Sequence, residues 1–417
     1  MKANAIYGII NYDTNLMRLI KGRQKMMGHQ RRVFIVNGKR TPFGKFGGEL
    51  SSLRPVDLAV YATNSLISET KINPETINQV IFANVIPSTP DTLYAGRHLA
   101  LRCGLKISTP GIVINRLCGS GIQAILDAAR LIRTNEAESI LVAGAENLSM
   151  APHLIYGSRF GTKYGALKSQ DLLLDTLTDS LCQTPMGITA ENLADEFKIT
   201  RSESDEYSFQ SHQKASMAYQ NNLIQPELIS IKVDKVNCHK DEHLRDEISL
   251  DEMSRLKPNF KKDGLVTAGS ASGIVDGAAA MIIASEDYVT QNHLEPLAEI
   301  IGGEVVGVEP TKMGIGPVPA ITRLLERNKL NLDKIDLFEI NEAFAPQVIA
   351  CQRALNIEPE KLNIWGGAVA LGHPLGATGI KISLTLARQL KHNRGELGIS
   401  SACIGGGQGI AMLIKNV

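Results

Sequence analysis

Two cysteines of this chain stand beside glycine runs, and a histidine stands between glycine and proline. "NRLCGSG" sets Cys118 against Gly119 and Gly121 just ahead of the helical run "IQAILDAARLI", and "CIGGGQG" sets Cys403 ahead of three glycines. "LGHPLG" holds His373 and "NEAFA" brings Asn341. A thiol at a helix start meets unpaired N–H groups and the positive end of the helix dipole, both of which favour its anion. Cys118 is therefore expected to titrate more easily than a free thiol, whose pKa is about 8.5. Its flanking glycines let a ligand carbonyl approach the backbone closely. The glycines after Cys403 expose N–H groups able to hold an oxyanion, a role in which one lost donor typically costs about 2.7–4 kcal/mol. His373 is suited to taking the proton of Cys118, and Asn341 is a neutral donor for a water or a carbonyl oxygen. The set suits nucleophilic attack on a carbonyl.

These residues need elements to hold them. Short apolar runs ("VFIV", closed by Asn-Gly, "QVIFANVI", "PGIVIN", "SILVAGAE") alternate with helical patterns such as "VDLAVYATNSLI", the sign of a parallel or mixed sheet covered by helices. From about 149 to 274 the chain changes character, with the long polar helical pattern "TRSESDEYSFQSHQKASMAY" and the charged "CHKDEHLRDE", and it reads as an insertion.

The flanking parts repeat each other. "KINPETIN" at 71–78 matches "KLNLDKID" at 329–336, so Asn73 falls on Asn331 and 331 − 73 = 258. "LCGSGIQAILDAARLI" matches "LGATGIKISLTLARQL", with Gly121 over Gly379, and Glu138 falls over Glu396. Three segments in one register imply two copies of one α/β unit. Cys118 opens the helix of the first copy and His373 precedes the matching helix of the second, so facing copies would bring base and thiol together in a cleft at the strand ends.

Composition bounds the partners. The 417 residues are 43% hydrophobic and 21% charged, and 44 basic against 43 acidic residues leave a net charge of +1, which argues against nucleic acid or a membrane surface and for a small ligand. No apolar run approaches the ~18–20 residues of a spanning helix. Six scattered cysteines suggest free thiols in a reducing compartment. Residues 1–30, with one acid (Asp13) and no serine, read as a poorly ordered extension or an upstream start before Met26 or Met27. A cytoplasmic location is expected, with mitochondria as the alternative should that extension be a transit peptide.

"NRLCGSG", "NEAFA", "GGAVALGHPLGATG" and "CIGGGQG", in that order over nearly 300 residues, resemble the thiolases, the coenzyme A dependent acyltransferases. The resemblance covers residues 31–417. It implies an α/β thiolase fold, two pseudo-symmetric halves forming a five-layered αβαβα core, with an N-terminal domain at 31–148 and 275–296, a loop domain at 149–274 that covers the site and binds coenzyme A, and a C-terminal domain at 297–417. It further implies Cys118 as the acyl-accepting nucleophile, His373 as its base and Cys403 as the second acid/base. Asn341 (through a water) and His373 resemble one oxyanion site, and the N–H groups of Cys118 and Gly405 the other. Leu177, Met186, Arg245, Phe260, Ala268 and Ser272, together with Ala343 and Phe344 of "NEAFA", resemble the coenzyme A surface, and Met313 the acyl-pocket lining. Coenzyme A is implied as cosubstrate, with no permanent cofactor or metal and a homotetramer or homodimer as the assembly. The reaction expected is thiolysis of acetoacetyl-CoA or its reverse, an acetyl-CoA C-acetyltransferase; the alternative is a longer-chain 3-ketoacyl-CoA thiolase of β-oxidation.

Departures and rival readings accompany the resemblance. Trp365 stands where a small polar residue is expected beside the catalytic turn, Ser270 replaces a common asparagine, and Pro185 stands where short-chain biosynthetic members often carry histidine. Cys238, His239 and His243 are metal-ligand types without a second cluster to complete a site. Arg245, Lys257, Lys261 and Lys262 suit either a solvated face or phosphate partners. A decarboxylating condensing enzyme or hydroxymethylglutaryl-CoA synthase would not need Cys403, a noncatalytic acyl-CoA carrier would be free to lose Cys118 or His373, and a redox pair of Cys118 and Cys403 is a conceivable side function.

Overall fold

The register of 258 read from the sequence recurs in hydrogen bonds of the computed structural model, which describes residues 31–417; the expectations for residues 1–30 lie outside the described residues. Asn78 Oδ1 accepts the N–H groups of Glu138 (2.8 Å) and Ser139 (3.1 Å), and Asp336 Oδ2 accepts those of Glu396 (2.7 Å) and Leu397 (2.9 Å). Since 336 − 78 and 396 − 138 both equal 258, the same side-chain clamp starts the same strand twice.

The main strands are β1 (Val33–Arg40), β2 (Gln79–Ala83), β3 (Gly111–Ile114), β4 (Ser139–Glu146), β5 (Val275–Ser285), β6 (Ala298–Gly307), β7 (Leu337–Ile340), β8 (Leu397–Ile404) and β9 (Gln408–Asn416). Their order is β7-β8-β9-β6-β1-β5-β4-β2-β3. β2 pairs in parallel with β3 and β4, as β7 does with β8, and the remaining neighbours are antiparallel. Thus β3-β2-β4-β5-β1 and β7-β8-β9-β6 are two mixed sheets of similar plan, joined among the described residues where Phe34 and Ile35 of β1 meet Glu299 and Ala298 of β6. "VFIV" does not end at Asn-Gly as expected: Asn37 and Gly38 continue β1 past an irregular step in the pairing between Ile35 and Asn37, because a bulge takes up the turn-prone pair without breaking the ladder.

Helices α1 (Pro55–Thr70) and α2 (Ala95–Arg102) pack on the outer face of the first sheet, and α6 (Pro317–Asn328) and α7 (Ala345–Leu355) on that of the second. Between the sheets lie α3 (Ser120–Arg133) and α8 (Leu375–Asn393), completing five layers. A helix in the middle layer has no solvent face, and α8 is buried along almost its whole length, Lys381 included. α3 and α8 touch backbone to backbone at their matched glycines. A Cβ on Gly379 would lie 2.3 Å from Ile122 N, and one on Gly121 2.7 Å from Ile380 N, so side chains there are excluded on both helices.

The chain leaves the first sheet after β4 and returns at β5, and residues 147–274 form the intervening excursion. It includes α4 (Met186–Phe197) and α5 (Arg201–Gln220), the latter started by a Thr200/Glu203 capping box. Buried charges fasten this excursion to the core. Arg40, at the end of β1, donates to Glu227 (2.7 Å) and to both oxygens of Asp241 (2.8 and 2.9 Å), while Thr385 of α8 donates to Glu227 (2.9 Å). All three charged side chains are out of solvent, and Phe34, Val36 and Leu50 pack with Ile231 and Cys238 beside them.

Candidate active site

Cys118 is presented by a stitched turn rather than by the helix itself. Asn115 Oδ1 accepts Leu117 N–H (2.9 Å), and Ser120 Oγ accepts Arg116 N–H (2.7 Å) and donates to Leu117 O (2.7 Å). These bonds hold Leu117 at φ 47°, a conformation unfavourable for a branched side chain. Cys118 therefore sits just outside the N-cap, Gly119, of α3. The expectation of an easily ionised thiol is not met. Burial pushes Cys118 up to about 11, outweighing the N–H groups of Gly405 and of Cys118 itself that face the sulfur. Helix-start stabilisation is small against desolvation in a closed site.

Gly405, in the turn between β8 and β9, reaches across the two halves to the turn that carries the thiol: a Cβ on it would lie 3.1 Å from Leu117 Cδ1. Cys403, at the end of β8, is fully buried, and desolvation, with Cys118 and Cys351 as further causes, holds its thiol well above the ordinary range. Cys118 and Cys403 are thus near neighbours from opposite copies of the repeat.

His373 occupies the turn before α8. Thr378 Oγ donates to Pro374 O (3.0 Å), so at 2.6 Å from His373 Nδ1 it accepts the ring N–H. That assigns the proton to Nδ1 and leaves Nε2 as the acceptor, with Asn341 Nδ2 3.4 Å away. Burial lowers the ring's pKa to about 4, so His373 is neutral at physiological pH and able to take a proton. Asn341 is fixed through its own N–H to Ser401 O (2.8 Å), and its buried Oδ1 has no partner among the described residues, leaving an acceptor free for a bound water. Thr378→Val would remove the bond that sets the tautomer; one hydrogen bond of about 1–1.5 kcal/mol predicts a kcat about tenfold lower at unchanged KM, read by steady-state kinetics. Unchanged kcat would mean that packing alone orients the ring.

Beside these residues opens a cavity of about 440 Å³. Leu177, Phe260, Ala268, Ser272 and Phe344, all expected from the sequence, line it together with His373. Phe260 meets Phe344 edge to face, with centroids 6.1 Å apart. Leu148, Leu177 and Leu375 belong both to this cavity and to the apolar cluster around Cys118, where Leu172, Leu173 and Ile86 join them. Arg245 lies instead in an adjoining cavity of about 240 Å³ that shares His243 and Ala268 with the first. Met186, Met313 and Ala343 line neither; they pack with Phe344 against Cys403.

Several lining residues escaped the sequence reading. Lys45 and Phe46 come from the segment after β1 and Ile274 from the end of the excursion, while His243, read in the sequence only as a metal-ligand type, lines the cavity instead. Thr378 does lie in one, but its role needs the turn geometry. Cys238 is buried behind β1 whereas His239 is exposed, and among the described residues no three His, Cys, Asp or Glu side chains converge as metal ligands would. Trp365, expected beside the catalytic turn, packs on Ala218, Ile224 and Leu228 and meets His392 edge to face. Ser270 braces the turn that follows Thr267, whose N–H its hydroxyl accepts (2.9 Å), and its carbonyl accepts Ala345 N–H (2.8 Å) at the start of α7.

The family models described as "Thiolase, N-terminal domain" and "Thiolase, C-terminal domain" match residues 33–287 and 294–416. The mitochondrial 3-ketoacyl-CoA thiolase of Homo sapiens is 47% identical over 391 residues, which are 93% of this chain and 98% of that protein. The crystal structure of the human enzyme in complex with CoA superposes with a TM-score of 0.91 at 47% identity, covering 93% of this chain and 98% of that one. The Bacillus anthracis acetyl-CoA acetyltransferase superposes at 0.90 with 38% identity, over 93% and 99% of the two chains.

Proposed function

The chain belongs to the thiolase family of acyltransferases, which use coenzyme A as substrate and hold no permanent cofactor, and from that premise we propose that it cleaves 3-ketoacyl-CoA thioesters longer than acetoacetyl-CoA. The carrying observation is the leucine-rich cluster (Leu148, Leu172, Leu173, Leu177, Leu375) beside Cys118, an apolar wall with no need of an acyl chain as short as acetyl. The relatives named 3-ketoacyl-CoA thiolase, at 46–47% identity, support this reading over the acetyl-CoA C-acetyltransferase favoured by the sequence, and the missing histidine at Pro185 agrees. The expected cytoplasmic location likewise finds no support in relatives whose names are mitochondrial.

In the proposed mechanism Cys118 gives its proton to His373 Nε2 as the sulfur attacks the 3-keto carbon. A resting thiol held near 11 beside a neutral imidazole fits transfer coupled to attack rather than a standing ion pair. The carbon–carbon bond then breaks; the acetyl-CoA enolate leaves, held by Asn341's water and His373, and takes a proton from Cys403. Cys403, now a thiolate, deprotonates the incoming coenzyme A thiol, whose sulfur attacks the Cys118 thioester while the N–H groups of Cys118 and Gly405 hold the oxyanion. Cys118 departs and recovers its proton from His373, which restores every group. Run in reverse, the same steps join two acyl units. Residues 149–274 act as the cover of the site, with Arg245 and the smaller cavity as the place for the nucleotide end of coenzyme A.

The test is a set of kcat/KM values for 3-ketoacyl-CoA of four to twelve or so carbons. A rise of about tenfold or more beyond four carbons is expected, given about 0.8 kcal/mol per buried methylene; turnover of acetoacetyl-CoA alone would return the assignment to acetyltransferase. We also propose that the enzyme is a homo-oligomer, because edge strand β3 leaves Ile112 47% exposed with Ile107 (80%) and Leu101 (43%) nearby, an apolar edge that a second copy would cover. Light scattering after gel filtration should read a dimer or tetramer, and a monomer at micromolar concentration would refute it.

A further inference from the structure

Glu146 ends β4 fully buried, and among the described residues no cation is a bonding partner. Its oxygens accept only N–H donors: Val85 N (2.6 Å) and Gly376 N (3.2 Å) on Oε1, Ile86 N (3.2 Å) and Asn84 Nδ2 (3.2 Å) on Oε2. Gly376 is the second residue of α8, so its N–H is one of the unpaired donors of a helix start, and the N-cap residue, Pro374, offers no side-chain cap. A strand of the first half therefore caps the helix of the second. The backbones touch at the same place, since a Cβ on Gly144 would lie 2.2 Å from Gly376 O and one on Gly376 2.4 Å from Ala83 O. His373 is three residues before Gly376, and on the other side the charge of Glu146 is felt at Cys118.

We propose that Glu146 is a positioning residue for acyl transfer: it caps α8 from across the duplicated halves, fixing His373 relative to Cys118. The inference rests on the thiolase reading for its catalytic part and, for its positioning part, on the bond to Gly376 N and the backbone contacts of Gly144 and Gly376; repulsion between the Glu146 carboxylate and a Cys118 thiolate follows from that placement and gives the test a second readout. Burial lifts the Glu146 carboxyl to about 8 and the thiol to about 11, so Glu146 is charged in the range where Cys118 ionises. The other titratable groups around the thiol are His373 on the α8 turn and Cys403 at the end of β8; Asp276, on the neighbouring β5, turns away to Ser149.

Glu146→Gln removes the charge, and Glu146→Asp keeps it but shortens the reach to Gly376. Each is compared with the parent by thiolysis kinetics and by the rate of Cys118 alkylation with iodoacetamide without any acyl-CoA. Both variants should lose about 10- to 100-fold in kcat with KM within about twofold, the cost of a misplaced base. Only Glu146→Gln should alkylate faster, about fivefold at about pH 9, because a like charge has been removed. Should Glu146→Gln fail to fold, Glu146→Asp decides through its kcat at unchanged KM. Parental kcat in both variants with parental alkylation in Glu146→Gln, or kcat, KM and melting temperature falling together in both, would overturn the proposal. A parent that turns over no 3-ketoacyl-CoA would refute the thiolase reading instead, and the alkylation comparison would still judge the coupling.

Discussion

Replacing Cys118 with alanine is expected to lower kcat for 3-ketoacyl-CoA thiolysis by a factor on the order of 10⁴ or more, with coenzyme A affinity unchanged within about twofold. The neighbouring thiol, Cys403, lies on β8 within the cluster of Met313 and Phe344, and in the proposed mechanism it serves as acid and base rather than as nucleophile. Losing a nucleophile removes the covalent path altogether, and the remaining groups act only through it. Serine at this position should be nearly as inactive, since a hydroxyl is far more basic than a thiol already held near 11 and exchanges poorly with thioesters. The partner measurement is the mass of the parent after incubation with 3-ketoacyl-CoA without free coenzyme A, which should show one acyl group on the peptide containing Cys118. Activity above about one per cent in the alanine variant, or the acyl group on another residue, would displace Cys118 from its role.

The largest loss of stability is expected at a residue that touches no substrate. Gly379→Leu would drive a side chain into the backbone of α3, where Ile122 N lies 2.3 Å from the added Cβ. Backbone cannot rotate aside as a side chain can, so the cost should reach at least about 3 kcal/mol, the upper end for overpacked cores. Because α3 begins beside Cys118 and α8 beside His373, folded material should also turn over slowly. Gly302→Ala, with nothing within 4 Å of its added Cβ, is the control. A melting temperature for Gly379→Leu within a degree or two of that control would show that the helices are not in backbone contact.

What the sequence made legible was whatever is written locally or repeated. The offset of 258 located β4 against β8 and α3 against α8, because each pair begins with the same kind of clamp or glycine. Cys118, His373 and Cys403 were visible because glycines and proline mark the turns that carry them, and Asn341 because it stands in "NEAFA". What stayed hidden depends on burial or on contacts between distant segments. The thiol's raised pKa reverses the expectation drawn from a helix start, because the apolar cluster around it strips water from the sulfur. Lys45 and Phe46 reach the cavity from a stretch with no motif, and Trp365, adjacent in sequence to the catalytic turn, points into a different cluster. Chain-length preference was beyond the sequence for a related reason: the leucines at 172, 173 and 177 are spaced like any amphipathic segment until Cys118 is placed among them.

The buried bonds of Arg40 bear on how substrates enter. Separating a buried charge from its partners costs about 3–5 kcal/mol, so a state with the excursion swung away from β1 would hold fewer than roughly one molecule in a hundred. Entry then has no hinge to wait for. Substrate exchange would then run at the pace of diffusion into the cavity rather than of a slow opening step.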